Sequence, residues 1–364
     1  MTNTHGIDHH KLMMHPARVG LWKQSRMEWE RVKGIFPIYM EVSPTGACNH
    51  RCVFCGLDYM KYRAVSLPAD IMADRFHEMA SCGVKSIMLA GEGEPLLHRQ
   101  ITDLITSAVN AGLDVAVTSN GVLMNAEFSD ACLGLLKWIK ISFNAGMPAT
   151  YAALHRTKES DFFKVVQNLK DAVILRNRIR RPVTIGLQML LLPENASEIE
   201  GLAKMARDDI GADYLVIKPY SQHLHSLTKQ YYGITYETYL DMEERLSRLS
   251  TDNFSMIFRA SAMKRSDAQK TYHRCLSTPV FWGYIQSDGS VYTCSAHLGD
   301  QRFRVGNLLE KPFREIWEGD ARRDNFYFVK DHLDPTDCRI NCRMDACNHY
   351  LWDLLHPDDH VNFI

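Results

Sequence analysis

Three cysteines within eight residues have the spacing in this chain that most directly indicates chemistry. Cys48, Cys52 and Cys55 form a C-x3-C-x2-C pattern shortly after the apolar run at 38–42. Three thiolates on one short loop can hold three corners of a cubane iron–sulfur cluster, whereas a structural four-iron cluster takes four cysteines. The loop therefore predicts a cluster with one open iron that a substrate or cosubstrate can occupy. A zinc loop, which usually supplies two C-x2-C pairs, is the alternative interpretation.

A second group of cysteines lies in the C-terminal quarter of the chain. Cys275 is followed by thirteen residues and a glycine, and four further residues separate that glycine from Cys294. Between these cysteines, residues 284–292 contain an Asp-Gly pair within an alternating pattern, which predicts a β-hairpin. The group is completed by three cysteines further along the chain: Cys338, Cys342 and Cys347. Two other cysteines, Cys82 and Cys132, lie in apolar helical patterns and are predicted core residues.

The elements that must position these residues alternate between strands and helices. Apolar runs typical of strands occupy six segments: 38–42, 86–90, 115–118, 138–143, 183–191 and 214–218. The intervening stretches have helical periodicity, and Asn195 with Glu198 three residues later predicts a helix start. Such alternation indicates a parallel sheet with crossover connections. Five of the strands end in glycine or polar residues, and chemistry in parallel barrels sits at that end.

Composition excludes some classes of partner. The chain has 364 residues, 46% of them hydrophobic, and a net charge of −1, so bulk charge predicts neither a nucleic-acid nor a membrane partner. The N-terminal residues lack the apolar core of a signal peptide. Ten cysteines in such a chain predict reduced thiols, metal ligation, a cytoplasmic location and sensitivity to oxygen.

The C-x3-C-x2-C loop resembles the signature of the radical S-adenosylmethionine (SAM) superfamily. The C-terminal hairpin, with the later Gly-Asn-Leu at 306–308 and Glu-Ile-Trp at 315–317, resembles the SPASM/Twitch extension of those enzymes. The resemblance implies an α/β fold, a partial (β/α)6 TIM-like barrel with a small C-terminal hairpin-plus-helix iron–sulfur domain. It also implies a [4Fe–4S] cluster that binds SAM, reductive cleavage of SAM to methionine and a 5′-deoxyadenosyl radical, and an electron donor such as flavodoxin or ferredoxin.

The resemblance assigns cosubstrate contacts to the strand ends. The family's "GGE" motif, which binds the methionine ammonium, matches Gly91-Glu92-Gly93-Glu94 with a glutamate in place of its second glycine, and we favour Glu94 over Glu92 for that role. The remaining implied SAM contacts are Phe54, Ser119, Asn120, Ser142 and Asn144. For each pair of polar residues, the alternative is a turn that satisfies backbone groups. Lys218, Tyr220 and Gln222 are candidate substrate contacts, while Gln188 faces either the core or the substrate.

The full SPASM form has seven cysteines and two clusters, whereas this chain has five cysteines in the region. We therefore expect one auxiliary [4Fe–4S] cluster, held by Cys275, Cys294 and two of Cys338, Cys342 and Cys347. The cysteine left over is a candidate hydrogen-atom donor. A zinc site with the same ligands is the alternative.

We expect four segments: a leader or cap at 1–36, the radical SAM partial barrel at 37–235, a helical linker at 236–270 and the SPASM/Twitch-like domain at 271–364. The leading hypothesis is hydrogen abstraction from a small polar substrate, a sugar, aminocyclitol or nucleotide-linked sugar, that leads to oxidation or epimerisation. The alternative is maturation of a ribosomally made peptide. The 37 residues before the first strand are too few for a leader-recognition domain, so that role would need a separate partner. An iron–sulfur electron-transfer protein is the third hypothesis.

Overall fold

The computed structural model describes residues 5–7, 10–180, 182–265, 270–278 and 280–363. Its ten strands form one sheet in the order β10-β9-β8-β1-β2-β3-β4-β5-β6-β7. The strands are β1 Tyr39–Val42, β2 Ser86–Leu89, β3 Asp114–Ser119, β4 Trp138–Ser142, β5 Thr184–Leu191, β6 Tyr214–Pro219, β7 Ser255–Phe258, β8 Trp282–Ile285, β9 Ser290–Tyr292 and β10 Arg304–Asn307. The helices are α1 Pro16–Gln24, α2 Trp29–Val32, α3 Ala69–Ser81, α4 Ile101–Asn110, α5 Ala126–Cys132, α6 Pro148–His155, α7 Glu159–Ile179, α8 Ile199–Lys204, α9 Met242–Ser247, α10 Ala260–Lys264, α11 Phe313–Glu318, α12 Asp320–Asp331 and α13 Asp345–Leu355.

The six predicted strands are confirmed as β1 to β6, and each is parallel to its neighbour. The sheet then continues beyond both ends of this set. β7 adds a parallel strand beside β6, so the segment 236–270 is not the purely helical linker that the sequence predicts. β8 lies parallel to β1, and β9 and β10 follow antiparallel. The predicted hairpin therefore extends the barrel sheet instead of forming a separate layer.

Alternation along the strands separates a helix-covered outer face from an inner face. Met40 and Val42 of β1 are fully buried in the main apolar core with α3 residues such as Phe76. The residues between and before them, Tyr39 and Glu41, therefore point to the inner face. The same alternation in the other strands defines the lumen, the space enclosed by the inner faces of β1 to β7.

The N-terminal helices cover the end of the sheet where the strands begin. Arg18 on α1 donates to the backbone oxygens of Phe36 and Gly83, which precede β1 and β2. Trp29 on α2 packs 5.9 Å, between ring centroids, from Phe326 on α12. These helices therefore join the barrel to the C-terminal segment, at the end opposite the cysteine loop. Among the described helices, none has the length and apolar character needed to cross a bilayer.

Candidate functional site

The cysteine loop leaves the carboxyl end of β1 and is held by the end of α6. The backbone N–H groups of Arg51 and Val53 donate to the carbonyls of His155 and Leu154, at 3.1 and 2.9 Å. Within the loop, the N–H of Cys55 donates to the carbonyl of Cys52 at 3.1 Å. Two backbone hydrogen bonds to a helix end thus fix the path of the chain between the first and last loop cysteines.

The loop thiols need a positive partner to ionise. Burial raises the pKa of Cys48 to about 11; a hydrogen bond from the backbone of His50 acts to lower it, and the like charges of Glu94 and Cys55 add to the increase. Burial also raises the pKa of Cys52, and Cys55 and Cys48 raise it further. Three thiolates held this close together are therefore stable only with a cation between them, as in a metal or iron–sulfur site.

The spread of the thiols distinguishes a cluster from a single ion. Among the described residues, the one set of three metal-ligating atoms lying within 4.8 Å of one another belongs to His50, Cys52 and His155. Sulfurs that share one tetrahedral zinc lie about 3.8 Å apart. The three loop cysteines are not drawn together in this way, and neither is any three of the C-terminal cysteines. The thiols of both sets are therefore farther apart than the ligands of one bound zinc ion.

Gly93 lets the segment after β2 lie directly against the cysteine loop. A Cβ at this position would lie 2.3 Å from the carbonyl oxygen of Thr45 and 2.4 Å from that of Ala47. The next N–H, that of Glu94, donates to the same Ala47 carbonyl at 2.8 Å. The backbone ahead of Cys48 is therefore positioned by a contact that only glycine permits.

The two glutamates of this segment have different partners. Glu94 accepts from Ser119 Oγ at 2.7 Å and from the N–H of Asn120 at 2.7 Å, which ties the end of β2 to the end of β3. Glu92 turns the other way and accepts from Gln286 Nε2 at 2.9 Å and from the N–H of Ser287 at 3.0 Å. These two hydrogen bonds to the turn of the C-terminal hairpin give the glutamate at position 92 a structural role.

Beside it, Gly91 has φ +125°, and a Cβ there would lie 2.4 Å from the hydroxyl of Tyr284 on β8. Gly91 and Glu92 are therefore explained by the packing of β8 and its turn against the barrel. The departure from the GGE pattern marks the place where the two parts of the chain meet.

Asn120 connects the end of β3 to the cysteine loop. Its Nδ2 donates to Asn49 Oδ1 at 2.7 Å, and its Oδ1 accepts from the N–H of Val122 at 3.0 Å. Ser119 Oγ, besides donating to Glu94, accepts from the N–H of Gly121 at 2.9 Å. Hydrogen bonds thus join Glu94, Ser119 and Asn120 beside the loop. We call these three residues and Asn144, which contacts the loop through His155, the rim.

His155 is a site residue that sequence reasoning missed. Its Nδ1 lies 3.4 Å from Cys52 Sγ, and its Nε2 lies 3.4 Å from the N–H of Asn144. Burial and the nearby His50 hold the pKa of His155 well below its usual value, so the ring is neutral. Because a backbone N–H can only donate, Nε2 is the acceptor and the proton lies on Nδ1, facing the cysteine sulfur. His155 therefore joins a rim residue to a cluster ligand.

Two other predicted SAM contacts, Phe54 and Ser142, also lie on this side of the barrel. The Phe54 ring lies 5.4 Å from the His155 ring in an edge-on arrangement. Ser142 ends β4 on the inner face and is in register with Gln188 of β5. Both are half-buried, while Asn144 is anchored through its Oδ1, which accepts from the N–H of Leu190 at 2.7 Å. The sites assigned to the ends of β2, β3 and β4 are thus brought together around one loop.

Three of the other four C-terminal cysteines act on the thiol of Cys294. Burial raises the pKa of Cys294, and Cys342, Cys275 and Cys338 each raise it further. The same burial and like-charge effects from Cys275 and Cys342 raise the pKa of Cys338 to about 12. For Cys347 the charged groups that act are Cys342 and Cys275 alone. Cys347 lies on α13, packed against the apolar cluster of the N-terminal helices.

Comparison with known proteins agrees with this geometry. Residues 42–206 match the radical SAM superfamily, and residues 275–343 match the SPASM iron–sulfur cluster-binding domain. The chain carries a radical SAM domain followed by a SPASM domain. These domains bind SAM and a [4Fe–4S] cluster, together with an auxiliary iron–sulfur cluster. The SPASM match includes Cys294 and the three cysteines that act on it, and ends before Cys347.

Individual relatives are distant. GTP 3′,8-cyclase of Chlorobaculum tepidum is 26% identical over 54% of this chain, which spans 58% of that cyclase. AdoMet-dependent heme synthase of Methanosarcina barkeri is 26% identical over 82% of this chain and 85% of its own length. SuiB of Streptococcus suis, solved with its precursor peptide SuiA, superposes with a TM-score of 0.63 at 18% identity, over 85% of this chain and 69% of SuiB. AnSMEcpe with bound AdoMet superposes with a TM-score of 0.57 at 16% identity, over 90% of this chain and all of that one.

Proposed function

We propose that this radical SAM enzyme oxidises a small oxygenated molecule held in the lumen between its two clusters. The observation that carries the proposal is the position of Tyr220, which follows β6 on the inner face. Burial raises the pKa of Tyr220 to about 12, while Arg339 acts to lower it and Cys55 to raise it. Tyr220 is thus within electrostatic reach of the SAM-binding loop and of the auxiliary cysteine segment at once.

When bound, SAM and the clusters supply two things: a primary carbon radical that abstracts a hydrogen atom, and an acceptor for one electron. The task of the chain is to orient the substrate and exclude water. Tyr220 Oη donates to Gln222 Oε1 at 3.1 Å, and Gln222 Nε2 donates to the carbonyl of Thr228 at 3.0 Å. The phenol oxygen is thereby fixed in orientation and keeps a lone pair for a substrate hydroxyl.

The segment at 222–228 also covers the cysteine loop. The N–H groups of Leu227 and Thr228 donate to the carboxylate of Asp58 at 2.8 and 2.9 Å, and Ser226 Oγ donates to the carbonyl of Cys55 at 3.2 Å. This cover lies where water would otherwise reach the last loop cysteine. It supports a site in which a reactive radical meets only its substrate.

The place of the spare thiol favours oxidation over epimerisation. Epimerisation through a cysteine needs a thiol facing the substrate on the side opposite the adenosyl group. Our candidate for the cysteine left over from the auxiliary set is Cys347, which packs against the apolar cluster of the N-terminal helices instead. Oxidation of an alcohol removes one hydrogen atom, one proton and one electron, and the auxiliary cluster is the electron acceptor. An external donor, such as a flavodoxin or ferredoxin, reduces the SAM-binding cluster.

The test uses anaerobically reconstituted enzyme with SAM, dithionite and candidate substrates deuterated at the carbinol carbon. We expect deuterium in 5′-deoxyadenosine and one oxidised product per 5′-deoxyadenosine formed. Cys55→Ala abolishes both products, whereas the matched control Cys82→Ala, a thiol outside both cluster sets, retains them. Solvent deuterium in a product of unchanged oxidation state would overturn oxidation and establish epimerisation.

Peptide modification is the second candidate, favoured by the shared fold with SuiB and anSMEcpe, both solved with peptides. An oxygenated small molecule and a peptide are separated by the same assay, because deuterium transfer follows whichever substrate is labelled. The third hypothesis, an electron-transfer protein, predicts no 5′-deoxyadenosine.

A further inference from the structure

The lumen contains a concentration of positive charge. On β4, Lys140 lies between Ile139 and Ile141, which are fully buried on the outer face, so Lys140 points inward. On β6, Lys218 follows the outward, fully buried Ile217 in the same way. Further cations come from the residue after β7 and from the auxiliary cysteine segment. We call the following five residues the lumen cations: Lys140, Lys218, Arg259, Arg339 and Arg343.

These cations lie close enough to repel one another. Burial lowers the pKa of Lys140 to about 8, and Arg343 lowers it while Glu41 raises it. Burial lowers the pKa of Lys218 well below its usual value, and the four charges that act on it are all positive and are the other lumen cations. A cluster of this kind costs free energy in the empty protein, because each charge disfavours the next.

Little negative charge balances four of the lumen cations, Lys140, Lys218, Arg339 and Arg343. Arg343 forms an ion pair with Glu41 of β1, and its Nη1 also donates to Tyr39 Oη at 2.9 Å. Arg339 Nε donates to a neutral partner, Ser221 Oγ, at 3.3 Å. Among the ion pairs between described residues, neither Lys140 nor Lys218 has a carboxylate partner. The accessible side-chain fraction is 42% for Arg343 and 9% for Glu41, so the guanidinium keeps a surface that a ligand can touch.

The auxiliary cluster does not account for all of this charge. Burial lowers the pKa of Arg339, but the negative charge of nearby Cys342 opposes this decrease and also acts to raise the pKa of Arg343. These two arginines therefore also balance the auxiliary cysteines. Lys140 and Lys218, in contrast, are influenced by no cysteine among the groups that act on them. The positive charges of the two lysines are therefore the ones that a ligand entering the lumen would balance.

We propose that the lumen binds a small molecule with at least two negative charges, a phosphate ester or a polycarboxylate, through Lys140, Lys218 and Arg339. That this molecule is the substrate rests on the proposed function. A bound oxyanion restores the protonated state of both lysines and replaces their mutual repulsion with charge-assisted hydrogen bonds. An aminocyclitol would add a further positive charge to the lumen and is disfavoured. A nucleotide-linked sugar remains within the class.

The test measures binding without turnover. Holoenzyme is saturated with SAM in the absence of dithionite, and inorganic phosphate, tricarballylate and neutral myo-inositol are titrated separately by calorimetry. We expect saturable binding of at least one of the two anions, with a Kd below about 1 mM, and none of myo-inositol. The anion that binds distinguishes a phosphate site from a carboxylate site.

Variants locate the binding. We expect Lys218→Met to weaken the binding of the anion by at least about tenfold, and Lys218→Arg to keep its affinity within about threefold of the wild-type value. Lys164→Met removes the same charge from an exposed position on α7 and leaves the affinity unchanged. If Lys218→Met fails to fold, acetylation of the wild-type holoenzyme replaces it: the anion slows the modification of Lys140 and Lys218 but not that of Lys164.

Failure to bind either anion, or equal weakening by Lys218→Met and Lys164→Met, would overturn the proposal. So would equal acetylation of the lumen lysines with and without anion. SAM is not cleaved without a reductant, so the binding assay reports nothing about the formation of 5′-deoxyadenosine. The assay therefore separates this proposal from the proposed function.

Discussion

The rim and the lumen are neighbouring regions that treat their polar groups in opposite ways. On the rim, the buried carboxylate of Glu94 receives three donors, from Ser119, Asn120 and Leu96. In the lumen, Lys140 and Lys218 have like charges as their strongest electrostatic neighbours apart from Glu41. A network whose hydrogen bonds are all made needs no ligand, whereas a group of unpaired positive charges is neutralised only when a negatively charged ligand binds. The first region is built to hold a loop in place, and the second to receive a charge.

The comparison predicts that damage beside the rim, at Gly93 next to Glu94, is the more severe. Gly93→Ala places a methyl group within 2.4 Å of two carbonyl oxygens of the cysteine loop. Backbone cannot yield to such a contact without moving the loop, at a cost of about 3 kcal/mol or more. We expect loss of the SAM-binding cluster and a fall of at least about a hundredfold in 5′-deoxyadenosine formation. Iron content and cluster absorbance report the first, and the anaerobic cleavage assay reports the second.

The control for this prediction is Gly34→Ala, at a turn glycine whose Cβ would meet no atom within 4 Å and whose φ, like that of Gly93, lies outside the left-handed region. This variant adds the same methyl group without the contact. Equal loss of iron in both variants would show that the change of glycine to alanine, and not the approach of Gly93 to the loop, explains the effect.

The second-largest expected effect falls on the bond that connects rim and cluster. His155→Phe keeps a ring in the buried space but removes the N–H that faces Cys52 and the acceptor for Asn144. Because hydrogen bonds to cluster sulfurs tune the reduction potential, we expect a lower potential for the SAM-binding cluster and about tenfold slower SAM cleavage. Spectroelectrochemical titration measures the potential, and a purely structural role would change iron content without moving it. His155→Gln, which retains a donor and an acceptor, recovers part of the shift.

The strands were predictable because the alternation of apolar and polar residues and the helical periodicity between strands are local sequence patterns. The rim was predictable because the carboxyl ends of parallel strands meet at one edge of the sheet. The lumen was not. In the β4 pattern, Lys140 alternates with isoleucines just as a solvent-facing lysine would, so period two cannot distinguish a barrel interior from bulk water. His155 lies 103 residues from Cys52 in sequence, and a lone histidine at a helix end carries no signal of that contact.

The helical turn begins directly after Asn195, as predicted, and leads into α8, but the two side chains of the motif make tertiary contacts and do not cap it. Asn195 is buried, and its Nδ2 donates to the backbone oxygens of Asn144 and Leu190 at 2.8 and 2.9 Å instead of capping a helix. Glu198, expected to complete the cap, accepts from the N–H of Gly146 at 2.7 Å. Both side chains brace the end of β4, so a motif typical of a helix start serves the rim instead.

A smaller effect is expected from pH, and it belongs to the lumen alone. Lys140, whose pKa of about 8 reflects burial and then Arg343, faces Glu41, Arg259, Arg343 and Lys218. Below that pH it is positive and attracts an anion, and above it the charge and the attraction are lost. A bound anion raises the pKa of both lysines, so binding takes up protons. We expect sulfate, whose own charge is constant, to bind about tenfold more weakly at about pH 9 than at about pH 7.

Calorimetry in two buffers of different ionisation enthalpy measures the proton uptake directly. Lys140→Met flattens the pH profile if the assignment is correct. A profile that stays as steep in this variant would assign the titration to another group, and proton release on binding would contradict the sign of the effect.

The smallest expected effect concerns the cysteine that belongs to neither region. Cys347 is influenced by Cys275 and Cys342 but not by Cys294 or Cys338, and it packs on α13 with Tyr350 and Trp352. A thiol in that place contributes apolar packing and no cluster ligand, so Cys347→Ala lowers the free energy of unfolding by about 1 kcal/mol and leaves iron content unchanged. Cys342→Ala, the matched variant among the cysteines that act on Cys294, removes the auxiliary cluster's contribution to the iron and to its absorbance. If Cys347→Ala lost iron and Cys338→Ala retained it, the assigned roles would be reversed, with Cys347 as the cluster ligand. The free thiol would then be Cys338, beside Arg339 and the lumen, and a hydrogen-atom donor in contact with the substrate would again be available for epimerisation.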